Sequence, residues 1–242
     1  MPVVNFDLDL LLFSPFYIIH KLSRNFFRRE FKEINLGNML DVGCGGKPYA
    51  PYLLFCSYTG IEIEEFSSDG RLEVSNKKCD LIFDGMTIPF KDESFDTVIS
   101  TEAIEHVKEI DRFFSEIVRV LKIDGKLIVS APFFWNLHYE PNDYYRFTKF
   151  GLSYLFEKYN IQVLKIIPTV GTIGLLHSLF AERVTRFIHI KFHFLPYKFR
   201  IFLYQLVLFP TAHILYPFAK YEYGRESIIK LGNILIGIKQ KK

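Results

Sequence analysis

The run DVGCGGKPY (residues 41–49) packs an acid, a thiol and three glycines into nine positions. Gly43 and Gly45 allow a tight turn and let backbone approach a bound molecule closely. A dinucleotide loop would want a third glycine at position 48, where Pro48 stands, and Asp41 would repel a pyrophosphate. The same acid favours a ligand whose nearest group is cationic. Two further acids, Glu62 and Asp84, follow at the ends of the next two short β-rich runs. A carboxylate at the first of these can accept both hydroxyls of a ribose, and one at the second an adenine amino group. Each acid alone reads equally as a solvated loop residue, but three at successive strand ends form a constellation. A second cluster, HYEPNDYYRFT (residues 138–148), gathers His138, Glu140, Asp143, Tyr144, Tyr145 and Arg146. A histidine near a carboxylate can take a proton from a hydroxyl, and an arginine can grip an anion through two N–H groups.

These residues need elements to position them. Leu, Phe and Ile mixed with Lys21, Arg24, Arg28 and Arg29 over residues 8–31 predict one or two helices, broken near Pro15. Strands are expected at Met39–Val42, Tyr58–Ile63, Asp80–Gly85, Phe95–Ser100, Lys126–Pro132, Ile161–Ile167 and Asn233–Lys239, with a helix start at Pro48–Phe55. Ile110, Phe113, Phe114, Ile117, Val118 and Leu121 recur at helical spacing, and Asp124-Gly125 turns the chain. Thr148 can cap a helix whose apolar face is Leu152, Leu155, Phe156 and Tyr159. Strands alternating with helices argue for an α/β fold with a parallel sheet, its ligand at the carboxyl ends of the strands.

A nucleoside with an ammonium and a sulfonium, S-adenosylmethionine (SAM), satisfies the three acids. With that, DVGCGG, YTGIEIE, FDGMTIPFKDESFDTVISTEAIEHV and RVLKIDGKLIVSAPF together resemble class I SAM-dependent methyltransferases of the type 11 kind, from Asp41 to about Phe134. Lys47 stands where that family usually has a glycine. The resemblance implies a Rossmann-like, doubly wound seven-stranded sheet, mostly parallel with an antiparallel last strand. It implies that Gly43 and Gly45 line the methionine part of SAM, Glu62 the ribose, and Asp84 with Gly85 and Met86 the adenine, with Thr101 near the methionine moiety and Asp41 also at the cofactor. The 138–148 segment resembles a substrate-side pattern of a bacterial subset associated with surface polysaccharides. By that resemblance His138 and Asp143 are catalytic, His138 as base for an acceptor hydroxyl and Asp143 as its orienting partner or a substrate acceptor, while Tyr145 and Arg146 bind substrate. The alternative is a structural loop, with Arg146 bridging an acid. No metal is required for this chemistry, and the Glu105-His106 pair reads as packing beside the cleft.

Composition bounds the rest. With 49% hydrophobic and 24% charged residues over 242 positions, the chain can bury a real core. A net charge of +3 gives no global case for nucleic acid. Cys44, Cys56 and Cys79 show no CxxC spacing, which suits a reducing cytosol, and the acidic start of the chain does not read as a secretion signal. The chain divides into an N-terminal helical segment (1–36), a SAM-binding core (37–170), a basic-aromatic helical insertion (171–225) and a last strand with tail (226–242). From Arg183 to Tyr221 there are six Lys or Arg and no acid, and Ile201–Ala219 carries no charge. Three placements suit this insertion: an anionic membrane surface at the inner face of the cell membrane, a lid on the sheet, or a homodimer contact. Pro210 and Pro217 are expected to break any helix there. The expected activity is O-methylation of a saccharide or lipid-linked precursor. The alternatives are a small or isoprenoid-like acceptor, or a non-catalytic SAM-binding scaffold.

Overall fold

The computed structural model describes residues 14–33, 37–53, 56–63, 79–223, 225 and 230–241. The chain forms two compact units, one of residues 1–5, 28–167 and 232–242, the other of residues 6–27 and 168–231. The first helix, α1 (Tyr17–Glu33), contributes its first eleven residues to the second unit and the remainder to the first.

The first unit is built on a seven-stranded sheet: β1 (Asn38–Val42), β2 (Ser57–Ile63), β3 (Leu81–Phe83), β4 (Phe95–Thr101), β5 (Leu121–Pro132), β6 (Ile161–Pro168) and β7 (Gly232–Lys239). Their order is β3-β2-β1-β4-β5-β7-β6. β1 runs parallel to β2 and β4, as β2 does to β3 and β4 to β5, while β7 is antiparallel to β5. Met39, Leu40, Asp41 and Val42 are all wholly out of water or nearly so, as a central strand covered on both faces requires. From β1 the chain passes to β2 on one side and β4 lies on the other, so the carboxyl ends of β1 and β4 flank the switch point where such sheets bind ligands. α2 (Ile110–Val120) buries Phe113, Phe114, Ile117 and Val120. α3 (Lys149–Lys158) starts where expected, with the Thr148 hydroxyl accepting the Gly151 N–H at 3.0 Å.

Three local expectations change. Residues 48–55 hold only a single 3-10 turn, Ala50–Tyr52, among the described residues, since no hydrogen-bonded run follows the prolines. β5 begins at Leu121 rather than Lys126: Asp124-Gly125 is absorbed within the strand, with Asp124 at φ +62° and the β4–β5 register shifting between Phe95 and Thr97. The N-terminal helix starts just after Pro15, and the part expected over 8–13 lies outside the described residues.

The second unit holds α4 (Thr172–Lys191) and α5 (Tyr197–Glu222), with an apolar cluster of Tyr17, Ile18, Leu22, Val170, Ala212 and Ala219. α5 runs through Pro210 and Pro217, against the expectation of a break. A proline removes one N–H and leaves a carbonyl short of its partner. Around Pro210 side chains add bonds to neighbouring carbonyls. The Thr211 hydroxyl donates to the carbonyls of Val207 and Leu208, both at 3.1 Å, and His213 Nδ1 lies 2.8 Å from that of Phe209.

Candidate active site

At the carboxyl end of β1 the backbone turns sharply. Gly43 sits at φ +78°, and a Cβ there would lie 2.6 Å from that of Ala103, so both conformation and space demand glycine. Gly45, at φ +49°, is different: nothing lies within 4 Å of where its Cβ would be. Lys47 adopts φ +55°, so the loop keeps the left-handed turn at the position where the resembling family has glycine. Its ammonium pairs with Asp80 and lies 4.7 Å from the centre of the Tyr58 ring.

Two of the three expected acids, Asp41 and Glu62, stand at this loop. Asp41 is wholly buried, with Oδ2 accepting the Tyr58 hydroxyl at 2.6 Å and Oδ1 without a hydrogen-bond partner among the described residues. Burial pushes its carboxyl up to about 7, the neighbouring Glu62 adding to the rise while Tyr58 and Lys47 oppose it. Glu62, at the end of β2, accepts the Gly45 N–H at 2.7 Å and that of Ile63 at 2.9 Å. Glu62 is thus tied to the glycine loop through the Gly45 N–H. Asp84, exposed after β3, accepts the N–H groups of Met86 (2.8 Å) and Thr87 (2.7 Å), both on Oδ1, and these bonds hold its carboxyl below the usual range. Gly85 turns at φ +74°, and Thr101 is the half-buried last residue of β4. Open space at Gly45 fits a ligand lying against the loop, and the buried Asp41 carboxyl beneath it suits one that brings positive charge.

On the acceptor side, the loop after β5 is tied down by Phe147 N–H to the Pro132 carbonyl (2.9 Å), and by the N–H groups of Tyr144 and Tyr145 to the Glu105 carbonyl (2.9 and 3.2 Å). His138 and Asp143 come together: Nδ1 lies 3.3 Å from Asp143 Oδ2 and 3.1 Å from the Asn136 carbonyl, and the His138 N–H reaches the same carboxylate at 3.0 Å. With only acceptors around it, Nδ1 carries the proton of the neutral ring and Nε2 keeps its lone pair. Arg146 makes a fork on Asp143 at 2.6 and 2.7 Å, which holds that carboxyl far below its usual range. It also donates to the carbonyls of Trp135 (3.4 Å), Tyr145 (2.8 Å) and Asn136 (3.1 Å). All five of its N–H groups are thereby engaged inside the loop, which leaves none for the anionic substrate group expected from sequence. The Tyr145 hydroxyl donates to the Lys108 carbonyl at 3.1 Å, a further internal tie.

The Glu105-His106 pair, read from sequence as packing beside the cleft, stands next to them with an unexpected feature. Glu105 is wholly buried with neither carboxylate oxygen hydrogen-bonded among the described residues. Burial, reinforced by the charge of Glu102, pushes it up to about 9. His106 Nε2 lies 3.7 Å from Glu105 Oε1, while its Nδ1 is 2.6 Å from the Asn142 carbonyl. The His106 and His138 rings meet edge to face with centres 4.7 Å apart. The signal was present as Glu105-His106 after one strand and His138 after its parallel neighbour.

Residues 40–129 match the family described as a methyltransferase domain. The phthiotriol/phenolphthiotriol dimycocerosates methyltransferase of Mycobacterium tuberculosis is 32% identical over 113 residues, 42% of this chain and 40% of that protein. The cycloartenol-C-24-methyltransferase 1 of Oryza sativa subsp. japonica is 30% identical over 150 residues, 54% of this chain and 43% of that protein. The chain thus spans about two fifths of the length of these relatives. Among solved structures, the phosphoethanolamine N-methyltransferase 2 of Haemonchus contortus in complex with S-adenosyl-L-methionine superposes with a TM-score of 0.55 at 16% identity, over 99% of this chain and 61% of that one. A sheet of order β3-β2-β1-β4-β5-β7-β6, a glycine loop with strand-end acids and the match over residues 40–129 agree: that part of the chain is similar to a SAM-dependent methyltransferase domain.

Proposed function

We propose that the protein O-methylates a hydroxyl on a lipid-linked or saccharide acceptor at the cytoplasmic face of a membrane. When bound, SAM supplies an electrophilic methyl group on a sulfonium. The glycine loop and Glu62 orient that donor, Asp84 to Met86 hold its adenine, and Asp41 beneath the loop favours its positive charge. His138 Nε2 takes the acceptor proton, and Asp143 keeps the ring in the required tautomer and stabilises the imidazolium. Arg146 and Tyr145 hold the loop in shape.

The observation that carries this reading is the His138–Asp143 pair beyond β5, its Nδ1 facing a carboxylate oxygen 3.3 Å away. A neutral amine acceptor would need no such base, so the pair favours oxygen over nitrogen. The membrane part rests on the second unit, where Phe187, Phe194, Phe199, Phe202, Phe209 and Phe218 are all exposed and cations go unopposed by acids from Arg183 to Tyr221. An open apolar groove of about 470 Å³ lined by Val184, Phe187, Ile188, Phe192, Leu203 and Val207 suits an acyl or prenyl chain. Relatives named for phthiotriol dimycocerosates and cycloartenol support an apolar acceptor of this kind.

The test is a panel of hydroxylated lipid-linked, saccharide and isoprenoid acceptors with methyl-labelled SAM. His138→Ala is expected to lower turnover about 100-fold or more, the range of a general base, with calorimetric binding of S-adenosylhomocysteine unchanged. Full turnover by that variant on an accepted substrate overturns the assignment. Donor binding with no turnover on any hydroxyl or amine acceptor supports the scaffold reading instead.

A further inference from the structure

We propose that Glu105, His106 and His138 form a binding site for one divalent transition-metal ion, just beyond the carboxyl ends of β4 and β5. Each residue offers one ligand atom, and the three atoms lie within 4.8 Å of one another. Two ligands on a zinc-sized ion stand about 3.0–3.5 Å apart, given bonds of ~2.0–2.2 Å, so the set closes around an ion through side-chain adjustment of about an ångström. The His106–Glu105 pair, at 3.7 Å, is already near that spacing.

Three features point to an ion rather than to packing. Glu105 is wholly buried and neither oxygen accepts a hydrogen bond from the described residues, an unfavourable state for a buried polar group. Both imidazoles have Nδ1 facing oxygen acceptors, His106 on the Asn142 carbonyl and His138 on the Asn136 carbonyl and the Asp143 carboxylate. That leaves the lone pair of Nε2 on each ring for an ion, with the oxygen facing Nδ1 fixing the tautomer, the arrangement of metal-bound histidines. Finally, the anchors are stiff: the Glu105 carbonyl takes two N–H groups of the 138–148 loop, and Asp143 is locked by the Arg146 fork. Two imidazoles and one carboxylate suit a borderline ion such as zinc, cobalt or nickel better than magnesium or calcium, which prefer oxygen ligands throughout.

Three protein ligands leave coordination positions open. Resting on the O-methylation reading, an acceptor hydroxyl takes one of them. The existence of the site does not depend on that use.

The experiment is cobalt titration of the full-length, tag-free, chelator-treated protein, followed by visible absorption and by equilibrium dialysis with zinc and nickel. One equivalent is expected to bind, with ligand-field bands that show nitrogen ligation. Glu105→Gln and His138→Gln should each weaken binding at least about tenfold, and together about 100-fold or more, with circular dichroism unchanged. His138→Gln lies in the surface loop and keeps the test valid if the buried variant folds poorly. No stoichiometric binding, or equal binding by the His138→Gln protein, overturns the site. S-adenosylhomocysteine calorimetry on the same metal-free samples separates the readings. Its failure removes the donor assignment alone, and the absence of cobalt uptake with intact donor binding removes the metal site alone.

Discussion

Asp41 lies deep in the sheet, where burial raises its carboxyl, and that sets a pH dependence. An unfolded aspartate titrates near pH ~3.9, whereas burial lifts the folded one to about 7. Through that window the native state binds a proton the unfolded state has lost, so its contribution makes stability fall as pH rises. At ~1.4 kcal/mol per pKa unit the drop approaches ~4 kcal/mol in all. Urea midpoints at pH 5 and pH 8 should therefore separate in the wild-type chain and draw together in Asp41→Asn, and equal separation in both would exclude Asp41 as the source. The three acids were legible in sequence because strand ends fix where they stand. The saturation of Arg146 and the bare oxygens of Glu105 were not, because their partners come from carbonyls and rings whose position depends on the path of the loop after β5.

Elements explain which glycines matter. Gly43 and Gly45 look equivalent in sequence, and both have positive φ, but only Gly43 faces Ala103. Gly43→Ala should destabilise by about 1–3 kcal/mol through strain and overlap, with partial rescue by Ala103→Gly. Gly45→Ala should cost about 1 kcal/mol from its backbone conformation, yet weaken S-adenosylhomocysteine at least tenfold, because its methyl would enter space kept for a ligand. Chemical denaturation and calorimetry read the two effects, and unchanged donor affinity in Gly45→Ala would assign the open space another purpose. The parallel strands were readable from their apolar runs, and α2 from its periodicity. The inner part of β5 was not, since Asp124-Gly125 has the composition of a turn and is accommodated as a bulge. The continuity of α5 was hidden too: Thr211 and His213 supply carbonyl contacts that propensity does not count.

At the scale of the whole molecule the question is what the second unit meets. α5 is long and apolar enough to cross a membrane, and few of its residues are buried. The membrane-surface reading expects the full chain to sediment with anionic vesicles at low salt and to lose part of that binding at high salt as cations are screened. Phe199→Ser with Phe202→Ser and Phe209→Ser should remove the salt-resistant part, while absence from vesicles at either salt would rule the reading out. The sheet carries one more consequence. β7 comes after β5 and β6 in the chain and lies between them in the sheet. During synthesis the ribosome must deliver β6 before the strand that joins it to the rest exists, so that edge waits open and non-local closure comes late. A nonsense codon ahead of Gly232 would delete an interior strand rather than trim a tail, leaving a nascent product for proteolysis rather than a shortened enzyme.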